Sequence, residues 1–390
     1  MELATQSDIQ IGPLRRDVAR PRRRRYWRRR AGVVVVVFLL WVTWSVGGAL
    51  TAPGTDGTAA RLAEWARFHG LGSAVNGLEK IQYQLNPPKI GGSLAGAIPS
   101  VSAASAAASP QPTPSVQGVP AAVPPQVQPA LPSEGKWQPL VAVRGKPAIQ
   151  AAFLRPDAQH TSYLVGVALL DQTLVKMVLH PGFQVPGGSG WSQPSDVPPS
   201  ERDRLLATFN SGFTMVDANG GYWQDGQTAA PLQAGAASMV LYKDGHVDVV
   251  SWGGAPPGPD VAAVRQNLGM LVDNGVIASD VDSTTTNTWG KTIGNPTFVW
   301  RTALGIRQDG SLVFVVGDAL SVHTLANIVR DAGAVRAMEL DINKAWTNFM
   351  TYAHPTAGVA VPHMLTADEV PNPKRYLQPS TRDFVAVLSR

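Results

Sequence analysis

The chain has no cysteine, which excludes disulfide staples and thiolate metal sites and leaves stability to a packed core. Its seven histidines never fall into a His-Glu-x-x-His pattern, and no Gly-x-Ser-x-Gly elbow occurs, so two large hydrolase classes lack their signatures. Gly290-Lys291-Thr292 has neither the upstream glycine nor the preceding strand of a phosphate-binding loop, which sets nucleotide binding aside. No internal repeat is present. Charge is also scarce in places: residues 31–50 carry none, and residues 87–133 carry only Lys89.

The two uncharged stretches differ in kind. AGVVVVVFLLWVTWSVGGAL (31–50) is apolar throughout and long enough to cross a hydrocarbon core of about 30 Å. The 30 residues before it hold ten arginines against Glu2, Asp8 and Asp17, a net +7 that leaves −2 for the other 360. A basic run abutting an apolar span is a membrane flank rather than a nucleic-acid arm, and it places residues 1–30 in the cytoplasm and the bulk of the chain outside. The reading is a single-pass cell-membrane protein that contacts the bilayer through 31–50 and binds no nucleic acid. A cleaved signal sequence is the other reading, with Gly47-Gly48-Ala49 as its small-residue site. Residues 51–86 are a loosely helical, membrane-proximal segment broken by Gly70 and Gly72. Residues 87–135 are rich in Pro, Ala and Ser and predict a disordered, extended linker that buries no core. Residues 136–390 form the globular domain.

Within that domain short strands dominate. Residues 163–170 and 173–179 read as a strand pair, 237–242 and 246–252 as a hairpin across Lys243-Asp244-Gly245, and 269–272 as the start of another. Residues 181–199 form a long Gly- and Pro-rich loop around Trp191. LLATF (205–209) reads as a short buried strand running into Asn210-Ser211-Gly212, where Gly212 permits close backbone approach to a ligand. FVAVL (384–388) reads as a closing strand of the same sheet. The fold class is α+β, a mixed β-sheet domain ending in a β-α-β unit.

That unit, 301–352, carries the candidate site. Residues 302–307 and 312–316 flank Gln308-Asp309-Gly310 as a hairpin. Val322, Leu325, Ile328, Val329 and Ala332 follow at helical spacing, with Ser321 as cap and Gly333 as stop. A helix between strands implies that 335–340 returns parallel to 312–316. With Arg307 facing Ser311, antiparallel register sets Arg301 opposite Gly317 and beside Asp318. One sheet edge then gathers Arg301, Asp318, His323, Asp341 and Asn343, where ligands of α/β units also gather. Period-two alternation sends Glu339 and Asp341 to one face, Met338 and Leu340 to the other. The carboxylate of Glu339 within an apolar run needs a partner or a task.

ATFNSGF (207–213), RTALGI followed by DG (301–310), and MELD (338–341) together resemble the phosphodiester glycosidase family over roughly 205–352. The family's Gly-rich stretch after its aspartate reads LDINKAWTN here, so Asp341 is kept and the glycines are replaced. The resemblance implies hydrolysis of a sugar phosphodiester, with Asp341 and Glu339 as the catalytic carboxyls. Arg301, Asn210, Asp318, Thr302, His323 and Asn343 are then the substrate contacts. Arg301 suits phosphate oxygens as a two-pronged donor, and Glu339 either partners Asp341 or is a buried carboxylate bonded to Arg301. No cofactor or metal is implied. The functional expectation is a membrane-anchored extracytoplasmic glycosidase acting on a phosphosugar of a surface or wall polymer. The alternative is a catalytically altered saccharide-phosphate binding protein of the envelope that uses Trp346 and Tyr352, and a third reading is a structural envelope protein.

Overall fold

The hairpin expected around Gln308-Asp309-Gly310 is the centre of the fold in a computed structural model, which describes residues 22–100, 120–284, 288–290, 297–372 and 374–390. Val299–Arg307 and Leu312–Leu320 pair antiparallel, with Arg301 opposite Gly317. The Arg307 N–H donates to the Ser311 carbonyl at 2.9 Å, as the register requires. The described residues contain four α-helices: α1 (Arg22–Thr51), α2 (Thr58–Ala66), α3 (Gly72–Leu85) and α4 (Val322–Asp331).

Helix α4 starts where Ser321 caps it, its hydroxyl accepting the Thr324 N–H at 3.1 Å. It stops at Gly333, whose φ of 99° is open to a residue without a Cβ. Its buried stripe, Val322, Leu325, Ala326, Ile328 and Val329, packs with Ala303, Val313, Val315 and Ala337 of the sheet. The opposite sheet face supplies Leu304, Phe314, Val316, Met338 and Leu340 to a second core with Phe209, Phe349, Val385 and Val387. Glu339 and Asp341 therefore lie on the α4 side of the sheet, as period-two alternation requires.

The strand after α4, Ala334–Glu339, departs from the expected pairing. It joins the far edge of Val299–Arg307 as an antiparallel neighbour, because the free edge of Leu312–Leu320 is taken by Val165–Leu170. It still runs in the direction of Leu312–Leu320, one strand removed, so its carboxyl end reaches the expected sheet edge. The eight-stranded sheet runs in the order 138–143, 146–154, 165–170, 312–320, 299–307, 334–339, 270–273, 276–277. One five-stranded sheet holds 227–230, 222–224, 261–266, 237–242 and 247–251, and another holds 361–364, 349–353, 205–210, 384–389 and 175–180.

Two sheet assignments are corrected by this order. Val165–Leu170 and Val175–His180 do not form a hairpin, because the chain crosses between layers at the turn where Leu174 N–H meets the Asp171 carbonyl at 3.0 Å. Phe384–Ser389 closes the third sheet, between Leu205–Asn210 and Val175–His180, and not the hairpin sheet. The pairs 237–242 with 247–251 and 270–273 with 276–277 form as read. Phe209, Phe314 and Phe349 join the two layers with centroids 5.0 to 6.1 Å apart.

The chain falls into two units, one ending at Ala52 and one from Pro53 to Arg390. In the first, Trp27–Thr51 is long and apolar enough to span a membrane or to serve as a signal sequence, with a mean hydropathy of 2.3. Thr43 and Thr51 return their hydroxyl protons to the carbonyls of Leu39 and Gly47, each at 2.9 Å, which satisfies them without water. The second unit includes α2 and α3, so residues 58–85 belong to the globular unit.

Both described ends of the stretch expected to be a linker are packed. Ile98, Val123 and Val127 are buried, Val123 N–H donates to the Gly135 carbonyl at 2.8 Å, and Trp137 Nε1 donates to the Ala121 carbonyl at 2.9 Å. Low charge suggests a spacer, but Ile98 and Val123 each join a core cluster and Val127 is buried, apolar surface enough to seat the chain on the domain. Residues 101–119 lie outside the described part. A chain beginning at Glu134 is therefore expected to melt several degrees lower than the full protein, read by calorimetry, because each kcal/mol lost shifts Tm by a few degrees in a domain of this size. An unchanged Tm would contradict the packing.

Candidate active site

Asp341 lies two residues past the end of Ala334–Glu339 and is buried. Its backbone is clamped to the neighbouring strand, with Thr302 N–H donating to its carbonyl at 2.9 Å and its own N–H donating to Thr302 Oγ1 at 3.1 Å. One side-chain oxygen, Oδ1, accepts the N–H groups of Ile342 and Asn343 at 2.7 and 2.9 Å and so shapes the turn by itself. The other, Oδ2, has no hydrogen-bond partner and stands 3.7 Å from Arg382 Nη1. Burial pushes the carboxyl up to about 6, opposed by Arg382 and by the two turn N–H groups.

A cavity of about 50 Å³ opens here, lined by Asp341, Asn343, Trp346 and Arg382 from the C-terminal part, Phe213 to Asp217 in part, and Arg67, Glu79 and Tyr83 of the N-terminal helices. That is room for a few waters, against several hundred Å³ for a typical small-molecule site. The helices supply its roof. Arg67 and Glu79 pair at 2.7 Å, Glu79 Oε1 accepts from Asn343 Nδ2 at 3.4 Å, and Glu64 of α2 meets Arg382 at 2.6 Å. Burial first, then Glu79, Asp341 and Asp318, pushes the Tyr83 phenol up to about 12.

Arg301 is elsewhere committed. It is fully buried, and its guanidinium donates to Glu339 Oε1 at 2.5 Å, Leu320 O at 2.8 Å and Thr297 O at 3.2 Å. Of the two readings left open for Glu339, the geometry matches the structural one: a buried carboxylate bonded to Arg301. Burial pushes Glu339 up to about 7 against the pull of that arginine. Neither residue lines the Asp341 cavity.

The remaining expected contacts divide. Asn343 lines the cavity beside Asp341. Asn210 and Thr302 support it from behind, with Asn210 Nδ2 donating to Thr302 Oγ1 at 3.0 Å and Asn210 Oδ1 accepting Asn348 N–H at 3.3 Å. Asp318 is partly buried near Trp300 and Lys344, raised by burial, and does not line the cavity. His323 is exposed on α4 and bonds Asp282 at 2.7 Å, away from the cavity because the first turn of α4 faces outward at that position. Gly212 serves packing: a Cβ there would lie 2.9 Å from Arg265 Nη2, and Arg265 is buried against Asp383 at 2.6 Å.

Arg382 and the helical residues Glu64, Arg67, Glu79 and Tyr83 were not singled out from sequence. Arg382 carried one usable signal: the closing strand pairs Phe384 with Asn210, which draws the residues just before it to the end of the strand that bears Asn210. Nothing in the pattern of 58–85 announced that it would roof a site.

Fold and cavity together describe an α+β domain with a buried, half-satisfied carboxylate at a strand end, facing an arginine. The phosphodiester glycosidase family model matches residues 203–341 of the chain, a match that ends on that carboxylate. Among solved structures, the catalytic domain of zebrafish N-acetylglucosamine-1-phosphodiester alpha-N-acetylglucosaminidase is similar at 15% identity and a TM-score of 0.42, over 65% of this chain and 88% of that one. A hypothetical protein from Synechocystis is similar at 12% identity and a TM-score of 0.35, over 65% of this chain and 64% of that one. No curated protein sequence matches the chain.

Proposed function

We propose that this protein is a membrane-anchored, extracytoplasmic hydrolase that cleaves a sugar phosphodiester of a cell-surface or wall polymer, with Asp341 as its essential carboxylate. The observation that carries the reading is the unpartnered Asp341 Oδ2, buried at a cavity edge where the family match ends. A buried carboxylate oxygen left without a hydrogen bond is costly unless it has a task. Departure of a phosphate from the anomeric carbon needs little protonation, so one carboxylate acting on the oxocarbenium-like transition state, as nucleophile or as base for water, is sufficient. Glu339, tied to Arg301, has the part of holding the strand in place.

Incubating the full chain in detergent with an aryl phosphodiester of N-acetylglucosamine tests this directly. Release of the free sugar and the aryl phosphate is the expected result. Saturable binding without turnover across several sugar phosphodiesters would favour the binding-protein reading, which the bulky Ile342, Lys344 and Trp346 after Asp341 would then explain.

A further inference from the structure

We infer that α3 lies in the interface of the membrane entered by the N-terminal apolar helix, with Ala74, Leu78, Ile81 and Leu85 turned into the lipid. The inference rests on the membrane anchorage in the proposed function and is independent of the hydrolysis.

The domain leaves its apolar side chains uncovered in one stretch. Among the described residues of Pro53–Arg390, every exposed leucine, isoleucine and phenylalanine falls between Leu62 and Ile90. Elsewhere the exposed large apolar side chains are Val216, Val276, Val359, Val361 and Val370. Within the stretch, Ala74, Leu78, Ile81 and Leu85 recur at i, i+4, i+7 and i+11 along α3, which at about 3.6 residues per turn confines them to an arc of about 60°. All four are exposed, the three large ones at 69%, 53% and 75%. A helix of a water-soluble domain turns such a stripe inward. Helix α3 instead turns inward the side that bears Glu79 and Tyr83, which line the Asp341 cavity. Phe68 and Leu71, in the bend before it, are exposed as well.

Charge identifies what covers the stripe. Both carboxylates of residues 58–90 are engaged, Glu64 with Arg382 at 2.6 Å and Glu79 with Arg67 at 2.7 Å. Lys80 and Lys89, by contrast, are exposed. An apolar stripe accompanied by cations and by no open carboxylate suits acyl chains beneath anionic headgroups.

The chain also delivers α3 to that surface. Arg61 donates to the carbonyls of Gly54 and Asp56, each at 2.8 Å, and Asn372 Nδ2 donates to the Thr55 carbonyl at 3.0 Å, so residues 54–56 are already seated on the domain. Only Ala52 and Pro53 separate them from the end of the apolar helix at Thr51, about 10 Å of extended chain. A bilayer crossed by that helix therefore has the domain at its surface and not on a long stalk. The Asp341 cavity lies across α3 from the lipid, about 10 Å away by the width of a helix, so the phosphodiester it meets is one carried at headgroup level.

Because the chain has no cysteine, a single introduced one takes a spin label alone. In the full chain reconstituted into vesicles of phosphatidylcholine and phosphatidylglycerol, labels at Ile81→Cys and Leu85→Cys are expected to relax faster with oxygen than with a water-soluble nickel chelate. A label at Val276→Cys, exposed in the 270–277 hairpin, should show the reverse order. Nickel access at 81 and 85 equal to that at 276 would overturn the inference. So would dipolar broadening at 81 and 85 that vanishes on dilution with unlabelled chain, because a second copy would then cover the stripe. A Val36→Cys label reads the anchorage separately: oxygen access at 36 with nickel access at 81 and 85 overturns the interfacial helix alone, whereas nickel access at 36 overturns the anchorage and the inference with it.

Discussion

Asp341→Asn is expected to lower turnover of a sugar phosphodiester by roughly 10²–10⁴-fold, the usual span for removing a group that acts on the reacting centre. The amide keeps the shape and can still accept the Ile342 and Asn343 N–H groups through its oxygen, so the melting temperature should stay within a few degrees of wild type. The pH dependence is the sharper readout. Burial raises the Asp341 carboxyl to about 6, and the proposed chemistry needs its ionised form. The rate should therefore rise about tenfold per pH unit below 6 and level off above it, and Asp341→Asn should lack that limb. A rate that falls as pH rises through 6 would instead make Asp341 the proton donor, and an unchanged rate in the variant would remove it from the reaction.

Arg301→Met is expected to cost about 3–5 kcal/mol of folding free energy, because it strands Glu339 as an unpaired buried charge. It also leaves the carbonyls of Leu320 and Thr297 without a donor. Replacing both members, Arg301→Met with Glu339→Leu, should recover most of the loss, since the double variant leaves no unpaired charge. Urea denaturation of the Pro53–Arg390 unit within the full chain, with equal slopes, measures the cycle. Wild-type stability for Arg301→Met together with weakened phosphate binding would return Arg301 to the substrate site.

These two residues show how far sequence reasoning reached. Sequence assigns both to one sheet edge, and the structure has their backbones there: Arg301 opposite Gly317, Asp341 just past the strand that follows α4. Register and alternation are local rules, with a period of two along a strand and a fixed pairing once a tight turn is set. What those rules do not contain is which direction a long side chain takes when two partners compete for it. Arg301 turned to Glu339 on the adjacent strand, a neighbour it has only because Ala334–Glu339 joined the far edge of the hairpin.

His323 and Asp318 stand apart from the cavity for a related reason. Lying near a sheet edge places a Cα within reach of a site, but the first turn of α4 sends His323 toward Asp282. Asp318 sits with its carboxyl on the following N–H, at 2.7 Å from Ala319.

By itself the sequence determined the apolar N-terminal helix, the hairpin at Gln308-Asp309-Gly310, the capped helix α4, and the faces of Glu339 and Asp341, because each follows from contacts between residues close along the chain. Only the tertiary structure decided that 58–85 roofs the site, that both described ends of the Pro-rich stretch pack, and that Arg382 stands beside Asp341. Those outcomes depend on which distant surfaces bury the most apolar area and pair the most charge. Such matches across the fold leave no periodic trace in the residues that make them.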